Sequence, residues 1–274
     1  MPAHTEPPAA EPRGEIEVTA AGEADGVATV VLARPAKHNA LTPGMRAALL
    51  DAFRWASEEP AVRAVVLRGA GRSFCAGQDI RGERTAYDSV QQGIWHREHQ
   101  NLGRAVADCA VPVVAALHGH VLGRGLDIAL AADIRIAAES ARLGFPEVRH
   151  GMTIGGGGLR RLVRAVGESR AMDLLLTGDS VDAATARAWG LVTRVVPDDR
   201  LTDEARALAA RLADLPGPAL YATKHLVRAA LDGPVEAGSW TDTAVGSLLA
   251  ADRAAARARP RDPDDTGHHA PAER

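Results

Sequence analysis

A chain of 274 residues with 46% hydrophobic side chains can build a substantial core, which excludes a wholly disordered protein. Its 32 basic and 35 acidic residues are interspersed and leave a formal net charge of -3, so no long-range field selects a nucleic-acid partner. No apolar run approaches the roughly 20 residues of a membrane span, and without a recognisable signal peptide, and with Cys75 and Cys109 too few for a disulfide framework, the expectation is a cytoplasmic protein with reduced thiols.

In chain order, residues 1–14 are a Pro-rich polar segment that can bury little, as are residues 259–274; both are expected to be disordered tails. His268 and His269 on the second tail lack the fixed geometry of a metal site. Strands are predicted at Val27 to Leu32, Ala61 to Leu67, Val111 to Leu117 and Ile134 to Ala137. Thr42 and Pro43 form a cap and first turn for a helix running to about Ser57, with Leu49, Leu50, Phe53 and Ala56 on one face. Strand and helix alternation of this kind implies parallel strands joined by helical crossovers, an α/β core. From about Gly158 onward the pattern becomes almost wholly helical, apart from a turn at Gly190 and a return strand at Val192 to Val196.

Several familiar sites are excluded. The run Gly155 to Gly158 is followed by Leu159-Arg160-Arg161 and not by Gly-Lys-Ser/Thr, so it is no phosphate-binding P-loop. Neither HExxH nor GxSxG occurs. His96 and His99 lack further ligands nearby, and no metal is expected.

Four segments carry the chemical information, and a fifth, Thr177 to Val192, is read as scaffold. The first three are Arg34-Pro-Ala-Lys37-His-Asn39-Ala-Leu41; Arg68-Gly-Ala-Gly-Arg-Ser-Phe-Cys75-Ala76-Gly77-Gln78-Asp79-Ile80; and His118-Gly-His-Val-Leu-Gly-Arg124-Gly-Leu-Asp127 continuing to Asp133. The fourth is Gly144-Phe-Pro-Glu147-Val-Arg-His-Gly151 with the glycine run ending in Arg161-Leu162. A helix opening in the glycines before Asp127 aims its amides and positive dipole end at developing negative charge.

In order and spacing these segments resemble the enoyl-CoA hydratase/isomerase (crotonase) superfamily over about residues 15 to 230. The resemblance implies an α/β fold, a crotonase-like repeated ββα core over residues 15–200. A helical C-terminal portion, 201–258, would serve self-association to a trimer or hexamer. The implied substrate is an acyl-CoA, with no cofactor beyond the CoA it carries and no nucleic-acid or membrane partner. By the same resemblance Arg34 and Lys37 lie along the CoA, with Ala76, Gly77, Gln78, Asp79 and Ile80 beside the substrate. Main-chain amides of Ala76 and Arg124 form the oxyanion hole. Lys224 matches a lysine that approaches CoA phosphates in relatives. Asp127 stands where hydratases carry Glu, and Glu147 matches the second catalytic carboxylate.

A thioester held by two amides has its Cα–H acidified, and two nearby carboxylates can then divide proton transfer and water activation. In hydration Glu147 handles the Cα proton and Asp127 orients the water; in double-bond isomerisation Glu147 alone shuttles the proton. Dienoyl isomerases of the family add an Asp eight residues after the Glu, where this chain has Gly155. An RNA-binding relative uses a lysine-rich helix, whereas the matching helix here carries Arg46, Arg54, Asp51, Glu58 and Glu59 and no lysine. Acyl specificity falls to residues 81–102, including Tyr87, Ile94, Trp95, His96 and His99, where a pocket wall and ordinary packing fit equally well.

Overall fold

The computed structural model describes residues 16–19, 25–80, 102–155, 157–232, 246 and 250. The expectations for both tails, and those for Tyr87, Ile94, Trp95, His96 and His99, lie outside the described residues.

The described strands are β1 (Ile16–Thr19), β2 (Val27–Leu32), β3 (Ala64–Gly69), β4 (Val113–Leu117), β5 (His120–Leu122), β6 (Ile134–Ala138), β7 (Arg142–Gly144), β8 (Ser180–Asp182) and β9 (Arg194–Val196). Six of them form one sheet in the order β1-β2-β3-β4-β6-β9, antiparallel only between β1 and β2. A smaller sheet has the order β5-β7-β8. The expected parallel α/β core is present, and its strands are nearly continuous apolar runs because both faces are covered. Every residue of β4 is buried.

Side-chain alternation along the strands sends Val65, Leu67 and Ala115 to one face and Ala64, Val66, Val114 and Ala116 to the other. The first face packs with Leu49 and Phe53 of helix α1 (Pro43–Glu58). After α1 come α2 (Leu102–Asp108), α3 (Arg124–Ala131), α4 (Gly158–Val166), α5 (Glu168–Thr177), α6 (Ala183–Trp189) and α7 (Leu201–Ala213). Leu201, Ala205, Leu208 and Ala209 of α7 cover the opposite face. Thr42 caps α1 as expected, its hydroxyl oxygen accepting from the Met45 amide at 3.2 Å.

Strand starts differ from expectation for local reasons. β3 begins at Ala64, not Ala61, because Glu59 closes a turn by accepting from the Val62 and Ala61 amides. β4 begins after Pro112, whose ring nitrogen offers no N–H to a ladder. β9 begins at Arg194 because the amides of Leu191 and Val192 both bond the Ala186 carbonyl at the end of α6. The region after Gly158 is also less uniformly helical than expected, since β8 pairs with β7 there.

The chain divides into two compact units between Gly217 and Pro218, so α7 belongs with the sheet it covers. Helix α8 (Gly217–Asp232) carries Lys224 in the second unit. No helix among the described residues is long and apolar enough to cross a membrane.

Candidate active site

The loop after β3 is fastened to the segment after β2 by one buried side chain. Asn39 adopts a left-handed backbone, φ 57°, which Asn tolerates better than most residues. Its Nδ2 donates to the carbonyls of Ala70, Ser73 and Phe74 at 2.9, 2.7 and 3.2 Å, and its Oδ1 accepts from the Arg34 amide at 2.8 Å. The Arg34 guanidinium bonds the Asp79 carboxylate at 2.6 Å and the Ala40 carbonyl at 3.1 Å, joining the two segments again.

Main-chain bonds then decide which amides face the cavity. Ala76 N–H donates to the His38 carbonyl at 2.9 Å, so the expected oxyanion donor is already engaged inside the protein. Leu41 N–H donates to Gly77 and Asp79 N–H to Leu41, which turns the amide of the residue between them, Gln78, away from Leu41. Gln78 N–H makes no hydrogen bond among the described residues and lies in the cavity wall. Of these two amides, Gln78 N–H and not Ala76 N–H is placed to donate into the cavity. Gly77 makes the turn between them at φ 105°, a conformation suited to glycine.

Helix α3 starts directly against this loop. A Cβ on Gly77 would lie 3.1 Å from the Leu122 carbonyl and 3.6 Å from the Arg124 nitrogen, and one on Gly125 would lie 2.5 Å from the Cys75 carbonyl. Arg124 occupies the first helical position, where amides have no acceptor one turn back in the helix. Its main chain thus sits beside the Gln78 loop. Cys75 is buried, its thiol donating to the Asn39 carbonyl at 3.1 Å, and burial pushes its pKa up to about 12. It is a packed thiol with no nucleophilic character at neutral pH.

These elements open onto a cavity of about 620 Å³. Arg34, Lys37, Gln78, Arg124, Asp127 and Glu147 all line it, as do Ala76, Gly77, Asp79 and Ile80. Glu147 stands on a 3-10 turn, Pro146–His150, that Gly151 ends in a left-handed conformation. Its Oε2 is buried and has no hydrogen-bond partner among the described residues. Its Oε1 approaches Gly123 so closely that a Cβ there would lie 2.7 Å away. Burial raises the Glu147 pKa above the ordinary carboxylate value; its own main-chain amide, Arg124 and His150 oppose the rise, and Asp127 adds to it.

Asp127 is held quite differently. It is 2% exposed, with Oδ2 accepting from Arg124 Nη1 and Oδ1 from Arg161 Nη1, each at 3.0 Å. Burial raises its pKa above the ordinary carboxylate value against the opposing pull of the two guanidiniums. The second half of the glycine run gains a reason here. A Cβ on Gly158 would lie 2.8 Å from Asp127 Oδ1, and one on Gly157 3.1 Å from Arg161 Nη1.

Comparison with known proteins joins this geometry to a family. Residues 22–247 match the family described as Enoyl-CoA hydratase/isomerase. The chain belongs to the enoyl-CoA hydratase/isomerase family. It is 40% identical, over 75% of its length and 79% of the relative's, to the Rhizobium meliloti protein named "Probable enoyl-CoA hydratase". The crystal structure of enoyl-CoA hydratase from Bacillus anthracis is 32% identical with a TM-score of 0.78, covering 85% of this chain and 90% of that one. That of enoyl-CoA hydratase from Mycobacterium smegmatis is 29% identical with a TM-score of 0.79, over the same shares.

In this family member the expected site residues Arg34, Lys37, Gly77, Gln78, Asp79, Ile80, Arg124, Asp127 and Glu147 all line one cavity. The loop amide expected to face the substrate, Ala76, is bonded to the His38 carbonyl, and Arg161 and Asn39 were not singled out as structural determinants. Both missed residues stand inside the quoted motifs. Lys224 lies on α8 in the second unit.

Proposed function

We propose that the chain binds acyl-CoA thioesters and adds water to a 2-enoyl-CoA, or removes it from a 3-hydroxyacyl-CoA, through an enolate. The observation that carries this reading is the buried Glu147 oxygen, unpartnered among the described residues, in the same cavity as the Gln78 and Arg124 amides. A thioester oxygen between those amides meets preorganised dipoles as negative charge develops, with the positive end of α3 behind them. The Cα proton then passes to or from Glu147. A carboxyl whose pKa is raised toward the working pH both accepts and returns a proton effectively. The names of the relatives favour water as the second reactant.

Double-bond isomerisation is the second reading, favoured by the two guanidiniums that occupy the Asp127 carboxylate. A turnover screen over a panel of acyl-CoAs, with products separated by mass, distinguishes the two. Gain of one water is the expected result, and unchanged mass with shifted retention would assign isomerisation. No turnover of any acyl-CoA would overturn the reading.

A further inference from the structure

We propose that Asp127 is a positioning residue and not a second base: Arg161, acting through Asp127, fixes the Arg124 guanidinium in the cavity wall, and Glu147 alone carries protons, giving its own to Cα and taking the one that the added water loses. The inference deepens the enolate reading above and rests on it.

A carboxylate that activates water must turn a lone pair toward that water and receive its proton. Asp127 has a guanidinium on each oxygen and is 2% exposed, so both oxygens face cations instead. Protonating it would break up a buried cluster whose partners remain charged at any working pH. The cluster is also built into the fold. Arg161 comes from α4, Arg124 and Asp127 are one turn apart on α3, and α2 leaves room for the guanidinium at Gly103, where a Cβ would lie 2.5 Å from Arg161 Nη1. Residues of α3 and α4 thus meet at one carboxylate, with α2 packed against the Arg161 guanidinium.

This arrangement has a consequence for Glu147 that ordinary packing lacks. Among the described residues, the charged groups acting on Glu147 are Arg124 and Asp127 on α3 and His150 on its own turn. Asp127 raises the Glu147 pKa. Removing its charge lowers that pKa, and the rise of rate with pH moves to lower pH. Removing Arg161 leaves Asp127 compensated by Arg124 alone, so the field of Asp127 at Glu147 strengthens and the same limb moves to higher pH.

The test is exchange of the Cα protons of butyryl-CoA for solvent deuterium, followed by mass across pH with the full-length chain. This reaction needs a base and an enolate but no added water. Asp127→Asn is expected to lower the plateau rate by less than about tenfold, against about 10²–10⁴-fold for loss of a general base, and to shift the acid limb downward. Arg161→Met shifts it upward, and Arg161→Lys returns it toward wild type. A plateau for Asp127→Asn as low as that of Glu147→Gln overturns the proposal, as does a limb that neither substitution moves. Should Asp127→Asn fail to fold, the Arg161 pair decides by the same criterion. Absence of exchange by the wild-type chain would instead overturn the enolate reading, and the proposal with it.

Discussion

Glu147→Gln slows single-turnover conversion of the best substrate by about 10²–10⁴-fold, the usual worth of a positioned proton-transfer group, while acyl-CoA affinity survives. Glutamine preserves the size of the side chain and its contact with Gly123, so the cavity keeps its shape. It removes only the capacity to take and return a proton. In the proposed reading the thioester is gripped by the Gln78 and Arg124 amides and by the Arg34 and Lys37 side of the cavity, all on other segments, so its binding is left unchanged. Calorimetry with a non-reacting acyl-CoA measures the affinity and rapid quench the rate. Near-wild-type turnover by this variant would remove Glu147 from the chemistry.

Asn39→Ala destabilises the folded chain by about 2–5 kcal/mol, because buried carbonyls and one amide lose their partners at about 1–3 kcal/mol each. The carbonyls of Ala70, Ser73 and Phe74 share one amide nitrogen, and Arg34 N–H depends on the same side chain. Alanine also fits the left-handed backbone at this position less well than asparagine. Asn39→Asp keeps the acceptor for Arg34 but sets a carboxylate oxygen against three carbonyls, and is expected to be comparably damaging. Denaturant midpoints of both variants measure the effect. A loss below about 0.5 kcal/mol, the level of an ordinary surface change, would show that the loop holding Gln78 is fastened by something else.

How much of this was legible in the sequence depended on how local each cause is. Helix α1 was readable to within a residue of its end, because Thr42 and Pro43 specify its start without outside help. The buried strands β2, β3 and β4 were readable as apolar runs, but the start of β3 was not, since it follows from the Glu59 turn and an Arg63 amide bonded to Gly26. Strands of three residues such as β5, β7 and β8 offer no period to detect. The cavity was legible because its motifs are contiguous. Which loop amide faces the cavity was not, because that depends on His38, far away in sequence, taking the Ala76 N–H. In the same way Asp127 looked available as a base until Arg161, 34 residues further along, appeared on its second oxygen.

The most direct test is a crystal structure of the full chain with butyryl-CoA, a thioester with no double bond to hydrate. The thioester oxygen is expected about 2.7–3.1 Å from both the Gln78 and the Arg124 main-chain nitrogens, with the Glu147 carboxylate facing Cα. An acyl-CoA seated elsewhere, or a thioester oxygen that meets neither amide, would contradict the account.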